Sequence, residues 1–314
     1  MSIPENIVLP AYFLFFSFAL GCIVGSFLNV VVWRLPRGAS LCHPPSHCPN
    51  CGHFIRPWEN IPILSWLFLR GRCSSCHQAI SWRYPAGEAA VGLLFAGIFW
   101  HVLRVDLPLA VLPAYFWLAG SVLAAALIDA EHRIIPNQIT YSGMLAAFLL
   151  AILLPQGRLA LYHEAAFAAN NLIFQATMET LASCKLLQNG LKYAPVAAAM
   201  DCLLGIALSS GILALFGWAG KRILRQKQGD IQVIGGGDVK FLAMIGGFLG
   251  AGAMIYILLG GAFLGFFSGI MQLLWEKNTK KLFSSLPFAP FLAIPALAWL
   301  LFGNWLYLIW NLFL

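Results

Sequence analysis

The stretch FLAMIGGFLGAGAMIYILLGGAFLGFFSGIMQLLW, residues 241–275, contains 35 residues and no charged side chain. A helix that crosses a bilayer needs roughly 20 mostly apolar residues, because it rises about 1.5 Å per residue and the hydrocarbon core is about 30 Å thick. The stretch is long enough for two crossings, which we predict at 241–257 and 259–275. We therefore expect a membrane protein.

The rest of the chain has the same character. Of its 314 residues, 60% are apolar and only 10% are charged, whereas soluble domains are about 45 to 50% apolar and about 25% charged. A single water-soluble core cannot bury such a surplus. We predict an all-α polytopic membrane protein with about eight transmembrane helices. The predicted spans are 11–33, 86–104, 109–128, 139–154, 197–219, 241–257, 259–275 and 288–313.

Basic residues are concentrated on one side of these spans. Of the 19 Lys and Arg residues, 15 lie in segments that the eight-span topology places on the same side, and cytoplasmic loops are the ones that retain basic residues. The net charge of +7 therefore indicates membrane orientation, with both termini outside, and we expect no nucleic-acid partner. The N-terminus has no basic residue before its apolar run, which predicts a retained first span rather than a secretory signal.

The spans divide the chain into three parts. Residues 1–33 form the first transmembrane span, residues 34–85 a small cytoplasmic insert rich in Cys, His, Pro and Trp, and residues 86–314 a membrane-embedded domain. Within the last part, an outer loop at 155–196 has apolar residues at roughly helical spacing, which is typical of a helix on the membrane surface. An irregular connector fits that loop equally well, and we assign it no function.

Four cysteines in the insert form two C-x2-C pairs, Cys48 with Cys51 and Cys73 with Cys76. Each such turn supplies two thiolates from one side, and tetrahedral zinc takes four. A structural disulfide is disfavoured because the insert is expected on the reducing side of the membrane. The spacing predicts a structural zinc site that stabilises a segment with little core of its own. An iron-sulfur centre and a metal-free thiol site are the alternatives.

Ionisable residues in membrane spans are costly and therefore mark candidate functional sites. Asp129 ends the third span and Asp238 opens the sixth, so the topology brings both to the cytoplasmic face. Two neighbouring carboxylates do not both ionise readily, so one can act as a base towards water while the other, protonated, donates a hydrogen bond to a carbonyl oxygen. This predicts an aspartate pair that hydrolyses amides. The simpler alternatives are a helix cap for Asp238 and an interfacial carboxylate for Asp129.

Other residues are candidates for positioning a substrate or a loop. Gly235, Gly236 and Gly237 precede Asp238, remove side-chain bulk and permit positive φ, so a peptide or a facing helix can approach closely. Lys240 can bias one carboxylate towards its ionised form or anchor the span. Two further carboxylates lie in or beside spans: Glu88, which can attract a basic peptide or cap the second span, and Asp201, which lies towards the opposite face and is expected to be structural.

Six motifs, in order along nearly the whole chain, resemble the type IV prepilin peptidases, which are membrane aspartic proteases of the Gly-x-Gly-Asp class. One departure is that three glycines run together before the aspartate. The outer loop has no counterpart in the resemblance. The motifs are GSFLNVVVWRLPRG (25–38), the paired C-x2-C insert, RYPAGE (83–88), IDAEHRIIPN (128–137), GGGDVKFLAMIGG (235–247) and PFAPFLAIP (287–295).

The resemblance implies an activity. Members of this family cleave short basic leader peptides from type IV prepilins and type II secretion pseudopilins after a glycine, at the cytoplasmic face of the bacterial inner membrane. Carried over by motif, the catalytic pair is Asp129 and Asp238. Longer members also transfer a methyl group from S-adenosylmethionine to the new N-terminal amine, and the N-terminal motif and cysteine insert are typical of that form. The implied partners are prepilin or pseudopilin substrates and membrane lipid.

Two other functional classes fit parts of the sequence. A multi-span transporter would use membrane aspartates to relay protons, although its carboxylates are expected at mid-membrane rather than at one face. A non-catalytic pilus or secretion assembly factor would hold pilins through the zinc module. No G-x-S-x-G, H-E-x-x-H or G-x4-G-K-[ST] motif is present, which argues against serine-hydrolase, zinc-protease and nucleotidase activities.

Overall fold

The computed structural model describes residues 5–105, 107–155, 194–228, 235–275 and 287–313, and these residues are mostly helical with no strand among them. The outer loop lies almost wholly outside these residues. The chain divides into two compact units, Met1–His101 and Val102–Leu314. The helices are α1 (Glu5–Arg34), α2 (Leu64–Phe68), α3 (Arg83–Arg104), α4 (Leu112–His132), α5 (Asn137–Leu153), α6 (Ala194–Gln228), α7 (Gly236–Trp275) and α8 (Ala289–Phe313), with 3-10 turns at Leu35–Arg37, Pro57–Asn60 and Leu109–Val111.

The predicted all-α membrane fold is confirmed. Among the described residues, five helices are long and apolar enough to cross a membrane, and two shorter apolar helices accompany them at Asn137–Leu153 and Ala289–Gly303. The number of eight spans stays a prediction. The boundary predicted near residue 258 is wrong: α7 is instead interrupted at Gly250, where φ is 77°. Hydropathy cannot locate such a break, because it depends on backbone conformation and not on polarity.

In the first unit, α1 and α3 approach each other closely through small residues. A Cβ added at Gly21 would lie 2.6 Å from the Val91 carbonyl oxygen, and one at Gly25 would lie 2.9 Å from the Glu88 Cα. From the other side, a Cβ at Gly92 would lie 2.6 Å from the Cys22 sulfur. Small residues at such crossings let membrane helices pack backbone to backbone. Gly25 of the motif GSFLN therefore serves this contact.

In the second unit, α7 is the central helix. It contacts α4, α5, α6 and α8, and every residue from 241 to 250 is buried. A helix that is apolar all round is expected in such a place, because no face of it needs to meet water. The uncharged stretch 241–275 thus begins with the core of this unit.

The closest approach of α7 is to α6, and it depends on glycine. A Cβ at Gly246 would collide with the Gly205 carbonyl oxygen and with the Ser209 hydroxyl, and a Cβ at Gly205 would collide with the Gly246 carbonyl oxygen and come within 3.2 Å of the Gly250 Cα. Backbone atoms cannot move aside as a flexible side chain can, so the two helices must separate if either glycine is replaced.

Replacing Gly246 by alanine is expected to lower the free energy of unfolding of the membrane domain by about 1 to 3 kcal/mol, the usual cost of overpacking. The measurement is thermal unfolding in detergent. The matched control is Gly252→Ala in the same helix, because a Cβ there meets nothing within 4 Å and alanine favours the helix. Equal melting temperatures for the two variants would contradict the assignment.

Candidate active site and cysteine cluster

Asp129 lies in the last turn of α4 and is buried. The helix ends at Arg133, which adopts the left-handed conformation with φ 56° and donates its N–H to the Asp129 carbonyl oxygen at 2.8 Å. The Asp129 side chain faces a different partner: its Oδ2 accepts a buried hydrogen bond of 3.1 Å from the N–H of Ala289, the first residue of α8. Because N–H groups in the first turn of a helix have no helical partner, they are well placed to hold a carboxylate.

Asp238 lies in the first turn of α7, and its N–H donates to the Gly235 carbonyl oxygen at 3.2 Å. Its carboxylate folds back over Gly235, since a Cβ on that glycine would lie 3.1 Å from the Asp238 Oδ2. The two aspartates lie at neighbouring helix ends, because α4 contacts α7 and a Cβ on Gly237 would lie 3.3 Å from the Ile135 side chain in the turn after α4. The structure therefore brings together two carboxylates that lie far apart in the sequence.

Two of the three glycines before Asp238, Gly235 and Gly237, act through close approach. Gly236 and Gly237 lie in α7 without positive φ, so the conformational freedom that the sequence permits is not used at these two positions. A Cβ at Gly237 would lie 3.3 Å from the Ile135 side chain, in the turn after α4, while a Cβ at Gly236 would meet nothing within 4 Å. Gly237 therefore keeps α7 close to the end of α4, and Gly235 leaves room for the Asp238 carboxylate.

Lys240 and Glu88 are both occupied by other partners. The Lys240 ammonium donates to the Asn137 Oδ1 at 2.9 Å and lies 5.3 Å from the centre of the Tyr141 ring, so it joins α7 to the start of α5. In the first unit, the buried Glu88 Oε2 accepts a 2.7 Å hydrogen bond from the Ile63 N–H. That contact holds Ile63 at φ 62°, a conformation unfavourable for a β-branched residue.

Sequence reasoning missed the Ala289 N–H, because a backbone donor is the same for every residue except proline. An indirect signal was present in PFAPFLAIP, since Pro290 is the second residue of α8 and proline favours the first turn of a helix. Asp201, expected to be structural, is buried in α6. Asp201 also takes part in a hydrogen bond, an ion pair or another electrostatic interaction.

The four cysteines form a single cluster. All four Sγ atoms lie within 4.8 Å of one another. The Sγ–Sγ distances are 3.8 Å for Cys48 and Cys76 and 4.0 Å for Cys51 and Cys73. Four sulfurs bonded to zinc at about 2.3 Å in a tetrahedron would stand about 3.8 Å apart. The thiol set therefore fits zinc in both chemistry and spacing.

The two halves of the cluster have the same backbone design. In the first, the Cys48 N–H donates to the His53 carbonyl oxygen at 2.9 Å; in the second, the Cys73 N–H donates to the Gln78 carbonyl oxygen at 2.9 Å. Isolated β-bridges close each loop, one between His47 and Phe54 and the other between Arg72 and Ala79. The sequence shows no repeat of fixed period, yet the structure reveals this pair of equivalent loops.

Backbone N–H groups also prepare the sulfurs for metal binding. The Gln78 N–H donates to the Cys76 sulfur and lowers the pKa of that thiol to about 6. In the other loop, the N–H groups of Cys51 and Asn50 lower the pKa of the Cys48 thiol. Metals bind thiolates rather than thiols. The Cys76 thiolate is thus favoured near neutral pH, and the Cys48 thiol ionises more readily than a free cysteine.

A half-buried tryptophan, Trp66, supports the second loop. The Trp66 Nε1 donates to the Ile80 carbonyl oxygen at 3.1 Å, which fixes the indole over Gly71. A Cβ at Gly71 would lie 2.8 Å from the indole ring, and this glycine has φ 66°. Both the ring and the backbone conformation therefore require glycine.

Replacing Gly71 by alanine is expected to destabilise the insert by about 2 kcal/mol or more, because left-handed strain adds to overpacking. Gly38→Ala is the matched control, since its φ is 65° but nothing lies within 4 Å of its added Cβ, and it should cost only about 1 kcal/mol. Hydrogen exchange over residues 64–80 measures the difference. Equal exchange in the two variants would exclude the ring contact as a constraint.

Two family models match the chain. The model described as Bacterial Peptidase A24 N-terminal domain matches residues 19–102, and the model described as Type IV leader peptidase family matches residues 116–270. A Burkholderia pseudomallei protein named prepilin leader peptidase/N-methyltransferase is 32% identical, and the alignment covers 94% of this chain and 87% of that protein. This chain belongs to the type IV leader peptidase family. The first match includes the four cysteines and the second includes both aspartates, so the resemblance inferred from the motifs is confirmed.

Two more relatives in the family carry the same name. The Myxococcus xanthus protein is 34% identical over 85% of this chain, and the Pseudomonas putida protein is 43% identical over 43% of it. The chain spans 66% of the first protein's length and 53% of the second's. No solved structure matches the chain.

Proposed function

We propose that this protein hydrolyses the peptide bond between the basic leader and the mature part of type IV prepilins or type II secretion pseudopilins, with Asp129 and Asp238 as the catalytic pair. One observation carries the proposal: Asp129 at the end of α4 and Asp238 at the start of α7 lie at adjoining helix ends, within the part of the chain that matches the leader peptidase model. Transporter and assembly-factor functions would not require such a pair at one end of two helices.

In the proposed reaction, the pair shares its protons unequally. The ionised carboxylate removes a proton from a water molecule as that water attacks the scissile carbonyl carbon, and the protonated carboxylate donates a hydrogen bond to the carbonyl oxygen. The proton taken from water then passes to the leaving amine. The Ala289 N–H fixes the Asp129 side chain throughout, which lowers the entropy lost on reaching the transition state.

The charge distribution supports a cytoplasmic site in the inner membrane. The basic segments that flank the predicted spans lie on the side to which Asp129 and Asp238 are assigned, and cytoplasmic loops carry such an excess. A prepilin has a basic leader followed by an apolar helix, so it would present its scissile bond at that same level of the membrane.

Zinc and S-adenosylmethionine complete the proposal. The four sulfurs of the cluster would hold one zinc ion, which would stabilise the insert and take no part in hydrolysis. Methylation of the new N-terminus is proposed from the names of the relatives. The described residues contain no strand and hence no glycine-rich turn between a strand and a helix of the kind that binds dinucleotides. No residue is therefore assigned to the methyl donor.

Mass spectrometry of a prepilin incubated with the purified protein in detergent tests this function. We expect a mass loss equal to the leader, and a further gain of one methyl group when S-adenosylmethionine is present. A cleaved but unmethylated product would support the peptidase alone. An unchanged substrate with folded protein would contradict the proposal and favour the transporter or assembly-factor function.

A further inference from the structure

The short helix α2 of the cysteine insert has its apolar side on the outside. Leu64, Leu67 and Phe68 are 50%, 57% and 83% exposed. At about 100° per residue these three positions fall within one arc of about 100°. The opposite side faces inward: the Ser65 hydroxyl donates to the Trp58 carbonyl oxygen at 2.9 Å, and the Trp66 indole donates to Ile80. We call Leu64, Leu67 and Phe68 the outer face of α2.

This arrangement is the reverse of a soluble domain, in which the apolar side of a helix faces a core. No large apolar side chain between residues 39 and 82 is buried. Side chains such as Phe68 therefore contribute nothing to the stability of the insert in water. An exposed apolar patch of this kind marks a surface that meets lipid or protein.

Chain continuity places the insert next to the bilayer. Its first residues follow directly from α1, and its last residues lead directly into α3, both of which are candidate membrane spans. Aromatic side chains are exposed at these junctions: Trp33 at the end of α1, and Trp82 and Tyr84 around the start of α3. Tryptophan and tyrosine concentrate where a span meets the headgroups. The insert therefore starts and ends at the membrane interface.

The charge of the insert fits an anionic bilayer. Between residues 35 and 82 the chain has four arginines and one carboxylate, Glu59. That carboxylate is already engaged, because it accepts hydrogen bonds from the Arg56 N–H at 3.0 Å and from the His53 ring at 3.3 Å. Arg70 follows the outer face by two residues, and the Arg56 guanidinium lies 5.6 Å from the centre of the exposed Trp58 ring. Arginine beside exposed aromatic rings is typical of segments that lie in the headgroup region.

We propose that the outer face of α2 docks onto the anionic lipid surface of the membrane that α1 and α3 cross, with its apolar side chains at the level of the upper acyl chains and the nearby arginines on lipid phosphates. The insert is then held at three points, two by covalent connection and one by lipid contact. This docking is independent of the catalytic role of the aspartates.

Photolabelling of the full-length protein in nanodiscs tests the docking. One set of discs contains phosphatidylcholine only, and the other contains phosphatidylcholine and phosphatidylglycerol at 3:1. Both carry a trace of a phospholipid with a diazirine in its acyl chain. After irradiation, mass spectrometry locates the label. We expect label on Leu64, Leu67 and Phe68 but not on Trp66, with a higher yield in the anionic discs. Leu93, an exposed residue of α3, is the positive control in both.

A double variant, Leu67→Ser with Phe68→Ser, makes the test sharper. These side chains are exposed, so their replacement leaves the packing of the insert intact, which resistance to proteolysis would verify. We expect labelling of Leu64 in the variant to fall about tenfold, as befits the loss of two apolar anchors, while labelling of Leu93 stays constant.

Three results would overturn the proposal. The first is label on Leu93 but none on the outer face of α2 in anionic discs. The second is equal label on Trp66 and Phe68, which would mean that the face described here does not exist in the membrane. The third is loss of label from the outer face when a prepilin is added in excess, which would assign that surface to the substrate.

Discussion

Asp129→Asn and Asp238→Asn are each expected to lower kcat for prepilin cleavage by at least about a thousandfold, because an amide cannot accept a proton from water and its N–H is a much weaker hydrogen-bond donor to the carbonyl oxygen than a carboxylic acid O–H. KM should change little, since asparagine keeps the size of the side chain. The Asp129 variant should also retain the Ala289 hydrogen bond, because the amide oxygen of asparagine can accept it. Cleavage rates measured with a prepilin in detergent provide the test.

The matched control for this pair is Glu131→Gln. Glu131 is two residues from Asp129 in the same helical turn, and its side chain is 65% exposed. The same change from carboxylate to amide at this position should leave the cleavage rate within about twofold of wild type, the scale of a surface substitution. Substantial turnover in both aspartate variants would remove the pair from the mechanism. An equal loss of cleavage activity in the Glu131 variant would mean that cleavage depends on the overall negative charge near this end of α4 and not on the aspartate pair.

The aspartate pair could be predicted from the sequence because a carboxylate at the edge of an apolar span is a costly feature that stands out. The cysteine pairs stood out in the same way, through their spacing. The Ala289 N–H did not, because no residue type marks a backbone donor. The interruption of α7 at Gly250 was placed eight residues too late for a similar reason. The surrounding sequence contains many glycines, and hydropathy does not distinguish the one with the non-helical backbone from the others.

Backbone conformation was the least predictable property of the insert. The two equivalent loops place Gly52 and His77 just after their second cysteines, with φ of 72° and 58°. A glycine in the sequence indicates that a positive φ is possible, whereas a histidine does not. The same holds for Ile63, whose left-handed backbone is held by Glu88 from another helix. A local sequence pattern cannot reveal the strained backbone of Ile63, because the hydrogen bond that stabilises it comes from Glu88, 25 positions away.

Replacing both Cys48 and Cys51 by serine is expected to release the metal and unfold the insert. Structural zinc contributes about 10 to 16 kcal/mol to small domains at pH 7. The insert has few means of replacing that contribution, because its buried residues are limited to Arg34, Cys48, Ser65, Gly71 and Cys73. Wild type should contain about one zinc per chain and the variant none, as measured by elemental analysis. Hydrogen exchange over residues 46–80 should rise to the level of an unfolded chain.

Cys42→Ser is the matched control, since this cysteine is exposed in the same insert but lies outside the cluster. It should keep both the metal and the protection. About one zinc per chain in the double variant would refute the ligand assignment, and iron in place of zinc in wild type would favour the iron-sulfur alternative. The docked outer face of α2 gives this experiment a second readout. The hydrogen bonds of Ser65 and Trp66 keep the opposite side of the helix inward. Loss of the metal should unfold the insert and break these bonds, and diazirine labelling of Trp66 and Phe68 should then become equal.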